Sequence, residues 1–415
     1  MKSVISGYAP RGTRLLLASS FLASVPLGYL IVVLPLYLAR AGIEPVVIGG
    51  FYTASGAMTA LLVAFSGVLA DRWGRRNFLI AGTLLPIASY AIFALTADVP
   101  WLVFASFLGG VGLANGAAGA LTIASFDALL ADNTTEATRT KVFAASGALW
   151  SFALAIGSFG AAIPELLQRA GVADLGAYRL PYLAMIAITL AGGLALLPVR
   201  DDPSVHEARA AAGWWPTRSR EPMLIYAIGV GFLGFGLGLA IQLLPLWYSV
   251  RFGVNEADLG PWYAAAQVVS MATIVTVPWF ERRLGGPNTV LVALCGGAVS
   301  LALIIAAPAF WIAASLHVLR SFLTNTSWPF HQSMLMTTTV PEERATAVGI
   351  GFAVWGTTNA LGPLAAGVLI GAGVYATPLL VGALMYVLGG FTFGLGFRRL
   401  LDRRAVASSG MIEAK

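Results

Sequence analysis

Apolar runs of about 20 residues recur from one end of this 415-residue chain to the other, and no other feature limits its fold so severely. A hydrocarbon core about 30 Å thick needs roughly 20 apolar residues per helix, so each run reads as a membrane-spanning helix. Twelve are counted, over residues 15–39, 46–70, 77–97, 101–130, 142–163, 179–198, 222–249, 259–280, 288–307, 309–337, 345–371 and 374–397. Residues of the AVILMFWYC set make up 58% of the chain and charged residues 11%, a balance that leaves few side chains to face water. The first run follows Lys2, Arg11 and Arg14 as a signal peptide would, yet it is long enough to span and reads as a retained helix. The sequence therefore predicts an all-α polytopic membrane protein whose main solvent is the lipid bilayer.

The longest polar stretch, residues 199–221, divides the spans six and six. The expected organisation is an N-terminal six-helix bundle over 1–198, a cytoplasmic linker over 199–221, a C-terminal six-helix bundle over 222–397 and a cytoplasmic tail over 398–415. A weak internal repeat supports two pseudo-symmetric bundles around a central cavity. Leu34, Pro35 and Leu36 reappear as Leu244, Pro245 and Leu246; Ile48, Gly49 and Tyr52 match Leu259, Gly260 and Tyr263. At a constant offset of 205, Arg139, Trp150, Ile156 and Gly157 correspond to Arg344, Trp355, Leu361 and Gly362. With the N-terminus inside, cytoplasmic segments hold twenty of the 25 Lys and Arg, against four in external loops (Arg40, Arg169, Arg179 and Arg251). That asymmetry predicts cytoplasmic termini in a plasma (inner) membrane protein.

The formal charge of +6 comes from basic residues at the ends of apolar runs, with no basic stripe for a nucleic acid. The single cysteine, Cys295, lies in an apolar run, so no intrachain disulfide and no cysteine metal cluster can form. Neither a Walker sequence nor HExxH nor GxSxG occurs, which argues against an enzyme, and no cofactor or metal is expected. Glycine-rich stretches such as Gly110-Val111-Gly112 and Gly234-Phe235-Gly236-Leu237-Gly238 sit inside spans and read as small-residue helix contacts.

Between spans two and three the chain reads Gly67-Val68-Leu69-Ala70-Asp71-Arg72-Trp73-Gly74-Arg75-Arg76. Gly67 permits close helix approach and Gly74 a tight turn. Asp71 can face the positive N-terminus of a helix in the other bundle, with the arginines beside it holding the carboxylate in place. This segment resembles the GxLADRxGRR signature of the major facilitator superfamily, and the twelve-span plan extends the resemblance over nearly the full chain. The resemblance implies a cytoplasmic latch made by Asp71, Arg72, Arg75 and Asp127, with Gly67, Gly74 and Arg76 shaping it and Arg139 a further candidate. The matching loop of the second half, Glu281-Arg282-Arg283-Leu284-Gly285, lacks the aspartate position. Two other family signatures are altered: Asn115 stands where many proton-coupled relatives carry an arginine in span four, and the glycine-proline pair is Gly362-Pro363 in span eleven, not in span five.

The substrate site is sought at Arg320, ten positions into span ten and about 15 Å deep. A charge left in lipid there costs on the order of 3 kcal/mol or more, so it is expected to face the cavity or a partner. His317, Arg320, Thr324, Trp328 and His331 recur on one helical stripe. Further candidates on cavity-forming spans are Asn115, Gln242, Gln267, Asn325 and Asn359, with Trp150 and Trp355 at repeat-equivalent positions. Packing alone would equally account for those tryptophans. With Asp127 assigned to the latch, no carboxylate remains at the cavity centre, which disfavours a cationic substrate; His317 and His331 are the candidate proton-coupling groups.

The expected function is secondary active or facilitative transport of a small organic solute, anionic or neutral and amphipathic, by alternating access. The chain is expected to act as a monomer, with protons as a candidate coupling ion and no nucleic-acid partner. The alternatives are a proton-coupled efflux pump for drugs and other hydrophobic compounds, and a passive channel, which would not require the Asp71 latch.

Overall fold

In hydrocarbon each peptide group must find its hydrogen-bond partner within the protein, and the helix does this within one segment. The computed structural model describes residues 11–199, 201 and 218–413, apart from the side chains of residues 64, 67, 68, 71, 72, 124, 274, 275, 345 and 404–413. Among the described residues every regular element is a helix and none is a strand. The helices are α1 (Arg11–Arg40), α2 (Pro45–Trp73), α3 (Arg75–Leu84), α4 (Pro86–Leu95), α5 (Val99–Leu108), α6 (Gly116–Asp132), α7 (Glu136–Phe159), α8 (Ile163–Arg169) and α9 (Asp174–Leu196). Beyond residues 200–217 follow α10 (Arg220–Ala240), α11 (Leu244–Phe252), α12 (Glu256–Met271), α13 (Thr273–Leu284), α14 (Gly286–Ala306), α15 (Phe310–Thr338), α16 (Arg344–Gly371) and α17 (Ala376–Glu413).

Nine spans among the described residues, with α3 and α4, α7 and α8, and α10 and α11 each joined as one, are long and apolar enough to cross a membrane, ten when the pair α12 and α13, bent by 60°, counts as one more. The other two expected spans fall on α15, which carries the polar stripe, and on the broken pair α5 and α6. That fourth span, read from the sequence as one helix over 101–130, is interrupted over 109–115. Gly109, Gly110, Gly112 and Gly116 all have positive φ, and Asn115 joins them at φ 62°. Four glycines in eight positions make the left-handed conformation cheap, and a helix cannot continue through it. Gly110-Val111-Gly112 is thus an unwound segment and not the helix contact expected of it.

The opened backbone is satisfied by small hydroxyls on neighbouring helices. Ser55 Oγ donates to Val111 O at 2.8 Å, Ser89 Oγ donates to Gly109 O at 2.7 Å, and Thr59 Oγ1 sits 2.9 and 2.7 Å from the carbonyl oxygens of Ala114 and Gly116. Asn115 Oδ1 accepts from the Gly110 N–H at 2.5 Å. Ser55, Thr59 and Ser89 are buried, so these bonds replace water that cannot reach the segment.

By its contacts the chain forms two units: Met1–Ala208 with Gln242–Met271 and Pro363–Tyr375, and Arg209–Ile241 with Ala272–Gly362 and Ala376–Lys415. In the first unit α1 packs on α7 and α9, α2 on α6, and α12 on α7. Leu16, Leu17, Leu79, Leu129, Leu130, Val142, Leu196 and Val199 form a buried cluster where α1, α3, α6, α7 and α9 converge. In the second unit α10 and α14 both pack on α17, with α15 against α14.

The internal repeat is visible in how each unit brings its helices together. In the first, a Cβ on Gly28 would collide with the Leu154 carbonyl, and one on Gly157 with Val25 O. In the second, Gly238 stands in the same relation to Asn359 O, and Gly362 to the Gly238–Leu239 backbone. Backbones this close gain dispersion contacts that a side chain would prevent. Gly234 is likewise held against Trp355 O, so the second glycine run does make the helix contact read from the sequence. Gly157→Ala should cost about 1–3 kcal/mol by overpacking. Gly147→Ala, with no atom within 4 Å of the new methyl, should be neutral or stabilising by about 0.5–1 kcal/mol. Thermal unfolding of the two purified variants in one detergent measures the difference.

Candidate functional site

Gly74 makes the turn between α2 and α3 at φ 91°, a conformation that strains any residue with a Cβ. The turn places the N-terminus of α3 beside Asp201, whose Oδ2 accepts from the Arg76 N–H at 3.0 Å. A carboxylate at this end of a helix meets the positive pole of its dipole. Arg76 Nη1 lies 3.3 and 3.4 Å from the carbonyl oxygens of Leu197 and Val199, which ties the loop to the end of α9. Arg75 is buried, and its Nη1 donates to Asp132 Oδ2 at 2.8 Å. Asp132 is the last residue of α6. Arg139 Nη2 lies 3.5 Å from Ala131 O, at the same helix end.

Asp71 and Arg72 lie in the last turn of α2, as Gly67 lies one turn earlier, but the side-chain positions of all three are outside the described residues. Asp127, expected to complete the latch with Arg75, is exposed on α6 and has no ion pair among the described residues. The acidic partner seen on Arg75 is Asp132, five positions further along. On a helix those five positions put Asp132 at the terminus, level with the loop, and Asp127 more than a turn deeper. Asp201 was also not anticipated, because a linker aspartate carries no local signal of capping a helix 125 positions away. If Arg75 and Asp132 form a specific pair, a double-mutant cycle of Arg75→Ala and Asp132→Ala should give a coupling of about 1–3 kcal/mol in thermal or denaturant stability.

The substrate candidates divide between the two units. Asn115, Trp150, Gln242 and Gln267 belong to the first. Asn115 caps α6 from the unwound segment, and a Cβ on Gly112 would lie 2.7 Å from Gln242 Oε1 and 2.9 Å from the Tyr52 ring, so Gln242 and Tyr52 border the break in span four. Gln267 is half-buried on α12, and Trp150 is exposed on α7.

His317, Arg320, Thr324, Asn325, His331, Trp355 and Asn359 belong to the second unit. Arg320 is buried; its Nη1 donates to the Tyr386 hydroxyl of α17 at 3.1 Å, and its Nη2 donates to Ser321 Oγ at 2.7 Å. No carboxylate pairs with it among the described residues. His317 is buried one turn before it. Thr324 Oγ1 turns back to Arg320 O at 2.9 Å, while Asn325 is exposed. His331 is fully buried, stacked on Phe393 of α17 at 4.8 Å and edge-on to Trp328 at 4.9 Å. Trp328 meets Trp355 at 6.2 Å. Asn359 Nδ2 donates to Gly234 O at 3.1 Å, bridging α16 and α10. The stripe on α15 therefore gathers Arg320 and His331 against α17, inside the second unit.

A charged group that no motif pointed to lies in the first unit, at the end of α1 and α2 opposite the Gly74 loop. Glu256, in the first turn of α12, is buried, and Arg40 Nη2 approaches its Oε2 at 3.4 Å. Arg40 also reaches Asp174 at 3.8 Å and covers the Tyr178 ring at 5.3 Å.

The chain is 24% identical to Multidrug resistance protein 2 of Bacillus subtilis (strain 168) over 299 residues, covering 69% of this chain and 70% of that protein. It is 27% identical to Tetracycline resistance protein, class G, of Vibrio anguillarum over 389 residues, 88% of this chain and 93% of that one. Among solved structures, the fold is similar to that of the nucleoside transporter NupG (TM-score 0.72, 15% identity, 93% and 98% of the two chains) and of the xylose transporter XylE from E. coli (TM-score 0.72, 14% identity, 91% and 94%). The family model for the Major Facilitator Superfamily matches residues 16–319. With well over half of its length under that match and a helix plan that continues to its end, the chain belongs to the Major Facilitator Superfamily.

Proposed function

We propose that this transporter carries a small organic solute that is amphipathic and anionic or neutral. As a member of its family it is an integral membrane transporter working by alternating access, and not an enzyme. The observation that carries the choice of solute is the electrostatics of the second unit. Arg320 is a buried guanidinium without a carboxylate partner among the described residues, and the membrane-spanning parts of α10, α14, α15, α16 and α17 contain no Asp or Glu away from their ends. A fixed positive charge in a medium of low dielectric favours an anion and penalises a cation. Half-buried Trp355 of α16, in the same unit as Arg320, offers an aromatic face for the apolar part of such a solute.

The second reading is proton-coupled efflux of several hydrophobic compounds, favoured by relatives named for multidrug and tetracycline resistance. In either case the six-helix halves 1–198 and 222–397, with the linker 199–221 and the tail 398–415 on the cytoplasmic side of the inner membrane, are the moving parts of a monomer. Asp71, Arg72 and Arg75 serve as the gate, in which Asp132 holds Arg75 and Asp127, a little over one turn deeper on α6, is the further acidic candidate. His317 and His331 are the candidate coupling groups, of which His331 is packed between Phe393 and Trp328.

The test is uptake and counterflow in proteoliposomes with a panel of labelled anionic, neutral and cationic amphipathic solutes. Anions or neutral solutes should saturate and exchange in the parent. Arg320→Ala should lower their kcat/KM at least tenfold, a loss of about 1.4 kcal/mol or more in transition-state stabilisation, and Arg320→Lys should recover part of it. Preference for cations in the parent, or unchanged anion transport in Arg320→Ala, overturns the proposed solute class; drug hypersensitivity of a deletion strain would then favour efflux.

A further inference from the structure

The first unit holds an apolar cavity of about 420 Å³ that neither the gate nor the substrate candidates use. Its floor is α1, where Val25, Pro26 and Tyr29 face it. One wall is α7 with its continuation into α8, and the other is α9. The cavity follows from how these helices pack. Gly157 brings the backbone of α7 onto α1 at Val25, and Gly192 brings α9 onto α1, where a Cβ would meet Ser19 O and Leu22 Cβ at 3.4 Å. Both helices thus lie on α1, yet they scarcely touch one another, and α8 packs on α9 at the end away from the Gly74 loop. A slot is left between α7 and α9, with α1 behind it and Ile163 and Leu167 of α8 at one end.

The rim shows which medium the slot meets. Ile156, Ile163 and Leu180 are 44%, 42% and 44% exposed, and Phe159, Leu166 and Leu183 beside them are exposed as well. The opening is therefore continuous with an apolar surface, and on a membrane-spanning helix such a surface faces hydrocarbon. Water has little to bind inside, because the lining is almost wholly apolar and the Tyr29 hydroxyl is buried out of reach of the slot. The volume falls within the range of about 300–1,000 Å³ typical of ligand sites, and an apolar cavity of about 150 Å³ already takes up a benzene-sized molecule.

Length and lining together select the occupant. Along α9 the slot runs from Leu180 to Ile188, about 12 Å at the helical rise. One leaflet contributes roughly 15 Å to a hydrocarbon core about 30 Å thick, so the slot spans most of a leaflet. It occupies the half of α9 away from Leu197, where Arg76 ties the Gly74 loop. An amphipathic solute would need a partner for its polar end, and the slot supplies none. A chain of methylenes needs none, and its long, narrow shape fits.

We propose that this slot is a binding site for one acyl chain of a membrane phospholipid, which enters sideways from the bilayer and fills the space between α7 and α9 over α1. The site requires only the membrane-spanning fold of the first unit and is independent of the solute class proposed above. It differs from the ordinary lipid-facing surface in reaching side chains that bulk lipid cannot touch: Tyr29 and Met185, which line it, are each only 4% exposed.

The experiment uses full-length protein in bilayers of phosphatidylethanolamine and phosphatidylglycerol, doped with a phospholipid that carries a diazirine in its acyl chain. After photolysis, mass spectrometry of peptides maps the adducts. Leu380, Leu384 and Leu388, an exposed stripe of α17, serve as the reference for bulk lipid. Adducts on Tyr29 and Met185 should be at least fivefold more frequent than on that stripe. Gly160→Leu fills the slot from the turn between α7 and α8. Gly160 has φ −64°, and a Cβ there meets only Ile163 Cδ1 at 3.5 Å and Tyr29 Cδ2 at 3.9 Å, so the position accepts a side chain. The substitution should lower the slot adducts at least fivefold and leave those on α17 unchanged. Ala184→Phe fills the slot from its exposed rim and keeps the test decisive should Gly160→Leu not fold. Slot adducts no more frequent than those on α17, or undiminished in the filled variants, overturn the proposal. Labelling of the slot by a diazirine-bearing aromatic hydrophobe but not by the lipid makes it a solute site, which overturns it as well.

Discussion

The peptide hydrogen bond in a medium without water governs this molecule. Each N–H and C=O inside the hydrocarbon layer must be paired, and leaving one unpaired costs several kcal/mol. Unbroken helices meet that demand by themselves, which is why apolar composition and helix content coincide along the chain. Where the demand is not met within a helix, another part of the structure has to meet it. The interruption at residues 109–115 exists because Ser55, Thr59, Ser89 and Asn115 supply the donors and acceptors that the helix gives up. Three buried hydroxyls on two other helices are thus as much part of span four as its own residues.

Once helices are assured, the distance between them becomes the next determinant. Lipid offers no hydrophobic gain for bringing two apolar helices together, so association depends on close contact. Gly28 and Gly157 in one unit, and Gly238 and Gly362 in the other, provide it by the same geometry. A repeat too faint to be persuasive from any one residue pair is preserved where a single methyl group would force the backbones apart.

Charge is distributed by how much water each position can reach. Arg75, Arg76 and Arg139 hold helix ends and the loop beside Gly74, binding carbonyls and the carboxylate of Asp132. Arg320 lies too deep for such partners and turns to phenol and serine hydroxyls. Glu256 lies between these extremes, close enough to the surface to meet Arg40 and buried enough to hold only one side of that bond in water. The two ends of the first unit therefore differ: a loop tied by several partially wet contacts at one end, and at the other an arginine shared between a buried and an exposed carboxylate.

The membrane-spanning character, the helical content, the close-packed glycines of the repeat and the turn at Gly74 followed from sequence alone, because each rests on properties that act within about twenty residues: apolar length, glycine permissiveness and a contiguous motif. The arrangement of Arg320 on the buried stripe of α15 was also legible, since helical periodicity is local. The sequence did not reveal that Gly110-Val111-Gly112 unwinds while Gly234-Phe235-Gly236-Leu237-Gly238 stays helical. Both are glycine-rich, and the difference depends on hydroxyls supplied by α2 and α4. Nor did it reveal that Arg75 pairs with Asp132, that Asp201 caps α3, or that Glu256 is buried beside Arg40, 216 positions away. Ion pairs, caps and burial are properties of what folding brings within a few ångströms, and no pattern along the chain encodes those distances; only the tertiary structure decided them.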